Sequence, residues 1–206
     1  MTGPASAALV PDLPVSRETA ARLETYVALL RKWNARINLV GPATLSEVWH
    51  RHILDSLQLL PFLQEGAIAD LGSGAGLPGL ILAVAGAGPV TLIEADLRKS
   101  AFLREAARAT NTPITVLTQR IERVSIDKVA NITARALAPV SALLHYAEPL
   151  LQPEGRCLFL KGAKAAEELE SARREGWHFT CRTEASRSDP NGVILVLETI
   201  FRDSAN

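Results

Sequence analysis

The stretch from residue 67 to residue 79 constrains the fold of this chain more than any other. It reads Ala-Ile-Ala-Asp-Leu-Gly-Ser-Gly-Ala-Gly-Leu-Pro-Gly, and its three alternate glycines are Gly72, Gly74 and Gly76. We expect a buried strand over Ala67–Ala69 that ends at Asp70, followed by a turn, because glycine adopts positive φ without steric cost. Pro78 suits the first turn of a helix, where its missing N–H has no partner. A strand, a glycine-rich turn and a helix in this order form the nucleotide-binding corner of a doubly wound α/β fold.

Two classes of cofactor use such a corner, and the acidic residues near it favour one of them. The run from Gly74 to Gly79 satisfies the dinucleotide pattern Gly-x-Gly-x-x-Gly, and Glu94 follows about 20 residues later, where a ribose-binding acid is expected. That permissive match also fits a nicotinamide oxidoreductase. Asp70 precedes the first glycine by two residues, and this arrangement resembles class I methyltransferases, which bind S-adenosylmethionine (AdoMet). An aspartate that only caps the turn is the simpler alternative for Asp70.

Composition narrows the class of protein further. A chain of 206 residues, 48% of them apolar, suits one large domain or one domain with an appendage. The formal net charge is zero, so no global field attracts nucleic acid. Apolar stretches stop well short of a transmembrane span, and the start of the chain lacks the pattern of a signal peptide. With only Cys157 and Cys181 present, a disulfide framework is not expected. We therefore expect a cytoplasmic protein without membrane association.

The amino-terminal part of the chain predicts helices that precede the sheet. Residues 1–15 are rich in proline and alanine, and we expect a mobile arm there. Residues 16–62 predict an amino-terminal helical extension, whose first helix is capped by Ser16. A capping box of Thr44 and Glu47 predicts a second helix that runs from Glu47 to about Leu60.

Residues 63–206 alternate predicted strands and helices with little interruption. This alternation requires a mostly parallel sheet with helices on both faces. The last two predicted strands, 177–183 and 193–201, follow one another closely and are expected to form an antiparallel pair. The predicted fold class is therefore α/β, a Rossmann-like class I AdoMet-dependent methyltransferase domain with a seven-stranded sheet and an amino-terminal helical extension.

Ligands of such sheets bind at the carboxyl ends of the strands, and the predicted strands place several chemically active residues there. Glu94 would accept hydrogen bonds from both ribose hydroxyls, and Ile121 with Glu122 would flank the adenine; a strand end and an ordinary loop are the alternatives. Arg135 lies in an apolar run, where burial of an unpaired guanidinium is costly. Asp70, a cofactor carboxylate, a substrate group and a structural salt bridge are all possible partners for it.

Several motifs are missing, and their absence limits the acceptor atom. The segment after the fourth predicted strand reads Thr133-Ala-Arg-Ala-Leu-Ala, without the Asn/Asp-Pro-Pro-aromatic motif of amino-group methyltransferases. The cysteines lie in apolar strands like structural thiols, so a nucleophilic cysteine is not expected. The four histidines follow no metal pattern. An acceptor that already holds a lone pair, such as guanine N7, would need alignment but no general base.

Taken together, these motifs closely resemble the bacterial 16S ribosomal RNA guanine-N7 methyltransferases of the RsmG (GidB) family. The resemblance covers residues 33–162 in the family's order, and its narrowest motif is Arg51-His52-x-x-Asp55-Ser-Leu. The other motifs that carry it are Trp33-Asn34, Asn38-Leu39, Asp70 to Gly79, Glu94 with Lys99 and Phe102-Leu103, Arg120-Ile121-Glu122, Thr133-Ala134-Arg135-Ala136 and Lys161-Gly162.

The resemblance implies methylation of one guanine at N7 in a conserved decoding-region loop of 16S rRNA, within the small ribosomal subunit. AdoMet would be the cofactor and S-adenosylhomocysteine its product; we expect a monomer and no metal. The expected cofactor-binding residues are Asp70, Gly72, Gly74, Gly76, Leu77, Glu94, Ile121, Glu122 and Arg135. Arg135 is also the candidate catalytic residue, in a positioning role. The candidate RNA-binding residues are Arg51, His52, Lys99, Arg120 and Lys161.

Three alternatives remain at this point. The chain could methylate another RNA base or a small molecule, it could be a nicotinamide oxidoreductase, or it could be a non-catalytic ribosome assembly factor. For His52 and Asp55 we also consider a structural role, in which their hydrogen bonds join the extension to the domain.

Overall fold

The computed structural model describes residues 15–203, and a seven-stranded sheet forms its centre. The strands in chain order are β1 (Ile68–Leu71), β2 (Val90–Ile93), β3 (Thr115–Leu117), β4 (Val129–Arg135), β5 (Leu151–Lys161), β6 (Trp177–Ala185) and β7 (Val193–Arg202). They are arranged in the order β3-β2-β1-β4-β5-β7-β6. Strands β1 to β5 are parallel, and β7 is antiparallel to both of its neighbours. The predicted fold class and the antiparallel pair are thereby confirmed.

Helices cover both faces of this sheet. They are α1 (Arg17–Asn34), α2 (Asp55–Leu57), α3 (Gly79–Val84), α4 (Leu97–Ala109), α5 (Val140–Ala147) and α6 (Ala165–Arg174). Because side chains alternate along a strand, β1 contributes to two separate cores. Ile68 packs with α1, α3 and α4, whereas Ala69 and Leu71 pack with α5 and α6. The strand order reverses between β1 and β4, which are neighbours, so their carboxyl ends form the switch point where α/β sheets bind ligands.

Helix α1 forms as the sequence predicts and attaches the extension to the glycine-rich turn. The Ser16 hydroxyl accepts a hydrogen bond from the Thr19 amide at 3.1 Å and caps the helix. Tyr26 is fully buried in the predicted apolar stripe, and its hydroxyl donates to the carbonyl of Ala75 at 2.7 Å. The arm expected over residues 1–15 lies outside the described residues except for Val15, which packs against the first core.

The second predicted helix is present over residues 49–57, but it is shorter than predicted, is mostly π-helical and lacks the predicted capping box. A π-helical turn spans Trp49–Leu54 and continues into the single turn of α2. The Thr44 hydroxyl does not cap a helix, because it donates to the Gly41 carbonyl at 2.7 Å and contacts His52 Nε2 at 2.8 Å. The local pattern assigns the Thr44 hydroxyl to a helix cap, but in the folded protein this hydroxyl contacts His52 instead.

Two details of the glycine-rich corner also differ. Strand β1 includes Asp70 instead of ending before it, so this carboxyl is part of the buried sheet. Pro78 precedes the first residue of α3 and occupies the cap position, not the first turn. Both shifts amount to one or two residues and leave the predicted strand, turn and helix in place.

Candidate functional site

A cavity of about 370 Å³ opens at the carboxyl ends of β1, β2 and β4. We call it the glycine-turn cavity. It gathers eight of the residues that the sequence singles out, namely Gly72, Gly74, Glu94, Lys99, Arg120, Ile121, Glu122 and Arg135. The topology explains this convergence, because parallel strands deliver their following loops to the same edge of the sheet.

Glu94 is nearly buried at the end of β2, and two backbone amides hold its carboxylate. Oε2 accepts from the Gly74 N–H at 2.8 Å, and Oε1 accepts from the Asp96 N–H at 2.8 Å. Each carboxylate oxygen can accept two hydrogen bonds, so each retains one acceptor site. A ligand with two neighbouring hydroxyl groups, such as a ribose, matches this pair of free acceptor sites.

The glycine-rich turn has the backbone conformation that its sequence predicts. Gly72, Gly74 and Gly76 have φ values of +64°, +55° and +85°. A Cβ atom on Gly76 would lie 2.7 Å from the Cβ of Leu80, so this glycine packs against α3. A Cβ on Gly74 would have only one atom within 4 Å, the Gly72 carbonyl oxygen at 3.8 Å, which leaves space for a ligand against the backbone there.

The structure places Asp70, Gly76 and Leu77 behind the cavity wall and not on it. Oδ1 of Asp70 accepts from the Thr133 hydroxyl at 2.7 Å, while Oδ2 has no hydrogen-bond partner within residues 15–203. Burial raises the pKa of Asp70 to about 6, although the Thr133 hydroxyl acts in the opposite direction. The Asp70 carboxyl thus bonds to β4 inside the protein and does not line the cavity.

Arg135, at the end of β4, pairs with the extension and not with Asp70. Its Nη2 lies 2.6 Å from Nδ1 of His52, and its Nη1 lies 3.2 Å from Oδ2 of Asp55 without hydrogen-bond geometry. Burial lowers the pKa of Arg135, and the neighbouring Asp55 carboxylate raises it. The structural ion pair considered from the sequence is therefore present, and it lies beside the cavity.

His52 is only 3% exposed, and both ring nitrogens are used inside the protein. A guanidinium can only donate, so Nδ1 accepts from Arg135 and Nε2–H donates to the Thr44 hydroxyl. Burial lowers the pKa of His52 to about 4, and the charges of Arg135 and Arg51 act in the same direction. His52 was expected to contact RNA, but its side chain is buried between the extension and the sheet and is not available to a phosphate.

A second cavity of about 200 Å³ lies next to the first, between the extension and the loop that joins β6 to β7. We call it the loop cavity. It shares Arg135 and Ala136 with the glycine-turn cavity, and two further cationic candidates, Arg51 and Lys161, line it. Arg51 pairs with Asp189 at 2.9 Å, and Lys161 pairs with Glu168 at 2.5 Å. Arg51 and Lys161 thus line the loop cavity, Lys99 and Arg120 line the glycine-turn cavity, and Arg135 lines both.

Sequence reasoning missed three parts of this site. Ala136, between the cavities, has φ +48°, a conformation that non-glycine residues adopt rarely and often at functional sites. Tyr146 reaches the glycine-turn cavity from α5, and residues 186–192 enclose the loop cavity. Ala136 belongs to a motif that carries the resemblance, but the motif does not predict its backbone conformation. Tyr146 and residues 186–192 join the site through the packing of distant segments, which no local pattern signals.

Other types of site find little support in the part of the chain that the structure describes. Across residues 15–203, no group of three or more His, Cys, Asp or Glu side chains is placed to hold a metal ion. Cys157 and Cys181 are both free, and burial raises the pKa of the Cys157 thiol far above its usual range. None of the helices in this range is long and apolar enough to cross a membrane.

The seven-stranded sheet with its antiparallel β7 and the cavity at its switch point are features of the class I AdoMet-dependent methyltransferase fold. A solved structure with this fold is magnesium protoporphyrin IX methyltransferase from Synechocystis with bound AdoMet, which superimposes with a TM-score of 0.61. The two proteins are 15% identical, and the match covers 91% of this chain and 99% of that one. At this identity the likeness concerns the fold alone.

Sequence comparison identifies the family. The family model described as rRNA small subunit methyltransferase G (GidB) matches residues 19–185. Ribosomal RNA small subunit methyltransferase G of Paramagnetospirillum magneticum is 53% identical over 93% of this chain and 94% of its own length. The protein of the same name from Gluconobacter oxydans is 54% identical over 91% and 97%. The chain belongs to the rRNA small subunit methyltransferase G family. This membership excludes the nicotinamide oxidoreductase that the glycine pattern also allowed.

Proposed function

We propose that this chain transfers the methyl group of AdoMet to N7 of one guanine in small-subunit (16S) ribosomal RNA. Membership of the family supports the reaction type and the RNA. The structural observation that carries the proposal is that two cavities meet at Arg135, one against the glycine turn and one between the extension and residues 186–192. A transfer reaction needs such an arrangement, with the donor and the acceptor in contact.

The lining of the glycine-turn cavity suits AdoMet at several points. The free acceptor sites of Glu94 suit the ribose hydroxyls, and the open backbone at Gly74 suits the amino-acid end of the cofactor. Ile121 and Glu122 also line the cavity, and in this proposal they flank the adenine. Bound AdoMet supplies an electrophilic methyl group on a positively charged sulfur.

The residues between the cavities suit an acceptor that has no proton to lose. Guanine N7 carries a lone pair and no hydrogen, so its methylation requires alignment and not a general base. His52 bonds to Arg135 beside both cavities, and both of its ring nitrogens are already engaged. Arg135 keeps its charge through the physiological range and can donate without accepting, so its role is to position groups.

Cationic residues supply the contacts to RNA in this proposal. Lys99 and Arg120 lie at the glycine-turn cavity, and the Arg120 side chain is exposed. Phosphate contacts by such residues supply most of the sequence-independent affinity for nucleic acid. We place the enzyme on the small ribosomal subunit in the cytoplasm, acting as a monomer.

Methyl transfer from tritiated AdoMet tests the proposal directly. The acceptors are small ribosomal subunits from a strain that lacks the enzyme, with free 16S rRNA and large subunits in parallel. Borohydride and aniline cleave RNA at N7-methylguanine and map the product. AdoMet binding, measured by calorimetry, is the control for a folded and competent protein.

Label at a single guanine of the small-subunit RNA is the expected result. Label on another base or another RNA would keep the methyltransferase and replace its acceptor. Tight AdoMet binding without transfer to any ribosomal RNA would overturn the proposal and support a non-catalytic assembly factor.

A further inference from the structure

The lining of the loop cavity combines apolar and polar residues, and this combination indicates the kind of group that it binds. Ala136, Leu160 and Val193 are its apolar members. Its polar and charged members, which we call the polar wall, are Arg51, Asp55, Arg135, Lys161, Ser186, Ser188 and Asp189. A planar heterocycle presents apolar faces and hydrogen-bonding edges, so its chemistry matches both parts of this lining.

The polar wall is built by contacts between the extension and the loop of residues 186–192. Gln58 accepts from the Arg187 amide at 2.8 Å and donates to the Ser186 hydroxyl at 3.1 Å. Within the loop, the Gly192 amide donates to the Asp189 carbonyl at 2.9 Å. The loop is therefore held in one position before any ligand arrives, which reduces the entropic cost of binding.

Two carboxylates line this wall, and they differ in how fully they are used. Oδ1 of Asp55 accepts from Gln58 at 2.9 Å and from the Ser188 hydroxyl, while its Oδ2 faces Arg135. Asp189 accepts a single bond at each oxygen, from the Asn191 amide and from Nη1 of Arg51, both at 2.9 Å. Each Asp189 oxygen thus keeps one acceptor site, and a third of its side chain is exposed.

We propose that the loop cavity binds the acceptor guanine and that the Arg51–Asp189 pair reads its Watson–Crick edge. Asp189 accepts from N1–H and from the 2-amino group, and Arg51 donates one of its remaining N–H groups to O6. This assignment rests on the proposed function, since it concerns the base that is methylated. It adds a specificity-determining carboxylate in a loop for which the sequence suggested no role.

The pairing explains how the site selects guanine and still leaves N7 free. In guanine, N7 lies beside O6 and on the opposite side of the ring from the 2-amino group. A base held by its Watson–Crick edge therefore directs N7 away from Asp189. The proposal places N7 at the junction of the two cavities, whose linings share Arg135. Adenine presents an acceptor at N1, which would face the Asp189 carboxylate without a hydrogen bond between them.

Inosine provides the test, because it is guanosine without the 2-amino group. Small subunits are reconstituted with guanosine or inosine at the mapped position, and kcat/KM is measured for the wild type and for Asp189→Ala. Both enzymes act on both RNAs, so the inherent reactivity of N7 cancels in the comparison. Asp189→Asn, which can still accept from the Asn191 amide, provides a second variant if Asp189→Ala is unstable. Glu198→Ala is the matched control, since Glu198 forms an ion pair with Arg156 away from both cavities.

We expect the wild type to lose about 10- to 100-fold in kcat/KM on inosine, the size of one lost hydrogen bond to a charged group. Asp189→Ala should lose a similar factor on guanosine and show little further loss on inosine, while AdoMet binding is unchanged. Equal preference for guanosine in the wild type and Asp189→Ala would overturn the assignment. The assignment would also be overturned if Asp55→Asn lost the preference for guanosine and Asp189→Ala retained it. If wild-type enzyme does not methylate the guanosine subunit, the proposed function itself fails, which is a separate result.

Discussion

The guanidinium of Arg135 lies 2.6 Å from Nδ1 of His52, so the end of strand β4 and the amino-terminal extension share a hydrogen bond beside both cavities. Asp55, one turn after His52, adds the 3.2 Å ion pair to the same guanidinium. The extension is therefore part of the wall of the site and not an appendage to the sheet. These contacts support the structural role considered for His52 and Asp55, in which the two side chains join the extension to the domain.

Replacement of Arg135 by alanine should lower kcat/KM for methyl transfer by about 10- to 100-fold, because a charged hydrogen-bond donor is lost where the two ligands meet. Arg135→Lys should recover only part of this loss, since lysine keeps the charge but not the planar fork. Tritium transfer to small subunits measures both variants. Arg173→Ala, which breaks an exposed ion pair on α6, should retain full activity. Normal methylation by Arg135→Ala would contradict the positioning role.

The raised pKa of Asp70 should make the stability of the protein depend on pH. Between its ordinary value of 3.8 and about 6, this carboxyl ionises in the unfolded chain before it ionises in the folded one. The free energy of unfolding therefore falls as pH rises through this interval, and the penalty is complete above it. Asp70→Asn cannot ionise, so its stability relative to the wild type should increase by about 1–3 kcal/mol from pH 4 to pH 7.

Urea unfolding at several pH values checks this expectation. His52, whose lowered pKa acts in the opposite direction between about pH 4 and its ordinary value of 6.5, is present in both proteins and cancels in the difference. A stability difference that does not change with pH would show that Asp70 is not the titrating group.

Glu94→Gln should weaken AdoMet binding by about 10- to 100-fold, as expected when charged hydrogen bonds are lost. The change also places an amide N–H opposite the Gly74 or Asp96 amide, so one of the two bonds that hold the side chain is lost. Calorimetric titration with AdoMet measures the effect. Glu167→Gln, in the exposed first turn of α6, is the control and should bind as the wild type does. Unchanged affinity in Glu94→Gln would remove Glu94 from the cofactor site.

Gly79→Ala should destabilise the fold by about 1–3 kcal/mol, because the added Cβ overpacks the core. It would lie 2.6 Å from Cβ of Asp70 and 2.6 Å from Cδ2 of Leu92. Gly162→Ala is the control, since a Cβ there meets no atom within 4 Å; its stability should change by less than about 0.5 kcal/mol. Chemical denaturation measures both variants, and equal stability would mean that α3 can shift away from β1 at no cost.

Features that depend on nearby residues could be predicted from the sequence. The strand, glycine turn and helix around residues 67–79 follow from apolar runs and backbone freedom, and the alternation after them implies a parallel sheet. From that topology alone, Glu94 and Arg135 come together at one edge, although they are far apart in the chain. The cap at Ser16 depends on the next three residues and is also correct.

Tertiary packing decided the rest, because it determines which partner each polar group meets. The Thr44 hydroxyl could cap a helix or bond to His52, and the fold of the extension determines that it bonds to His52. Asp70 could reach a ligand or support the turn, and the register of β1 against β4 placed it beside Thr133. The sequence by itself determined the fold class and the cofactor edge, since periodicity and glycine placement are local. The loop cavity and its Arg51–Asp189 pair exist only in the folded protein, because 138 residues separate two side chains that lie 2.9 Å apart.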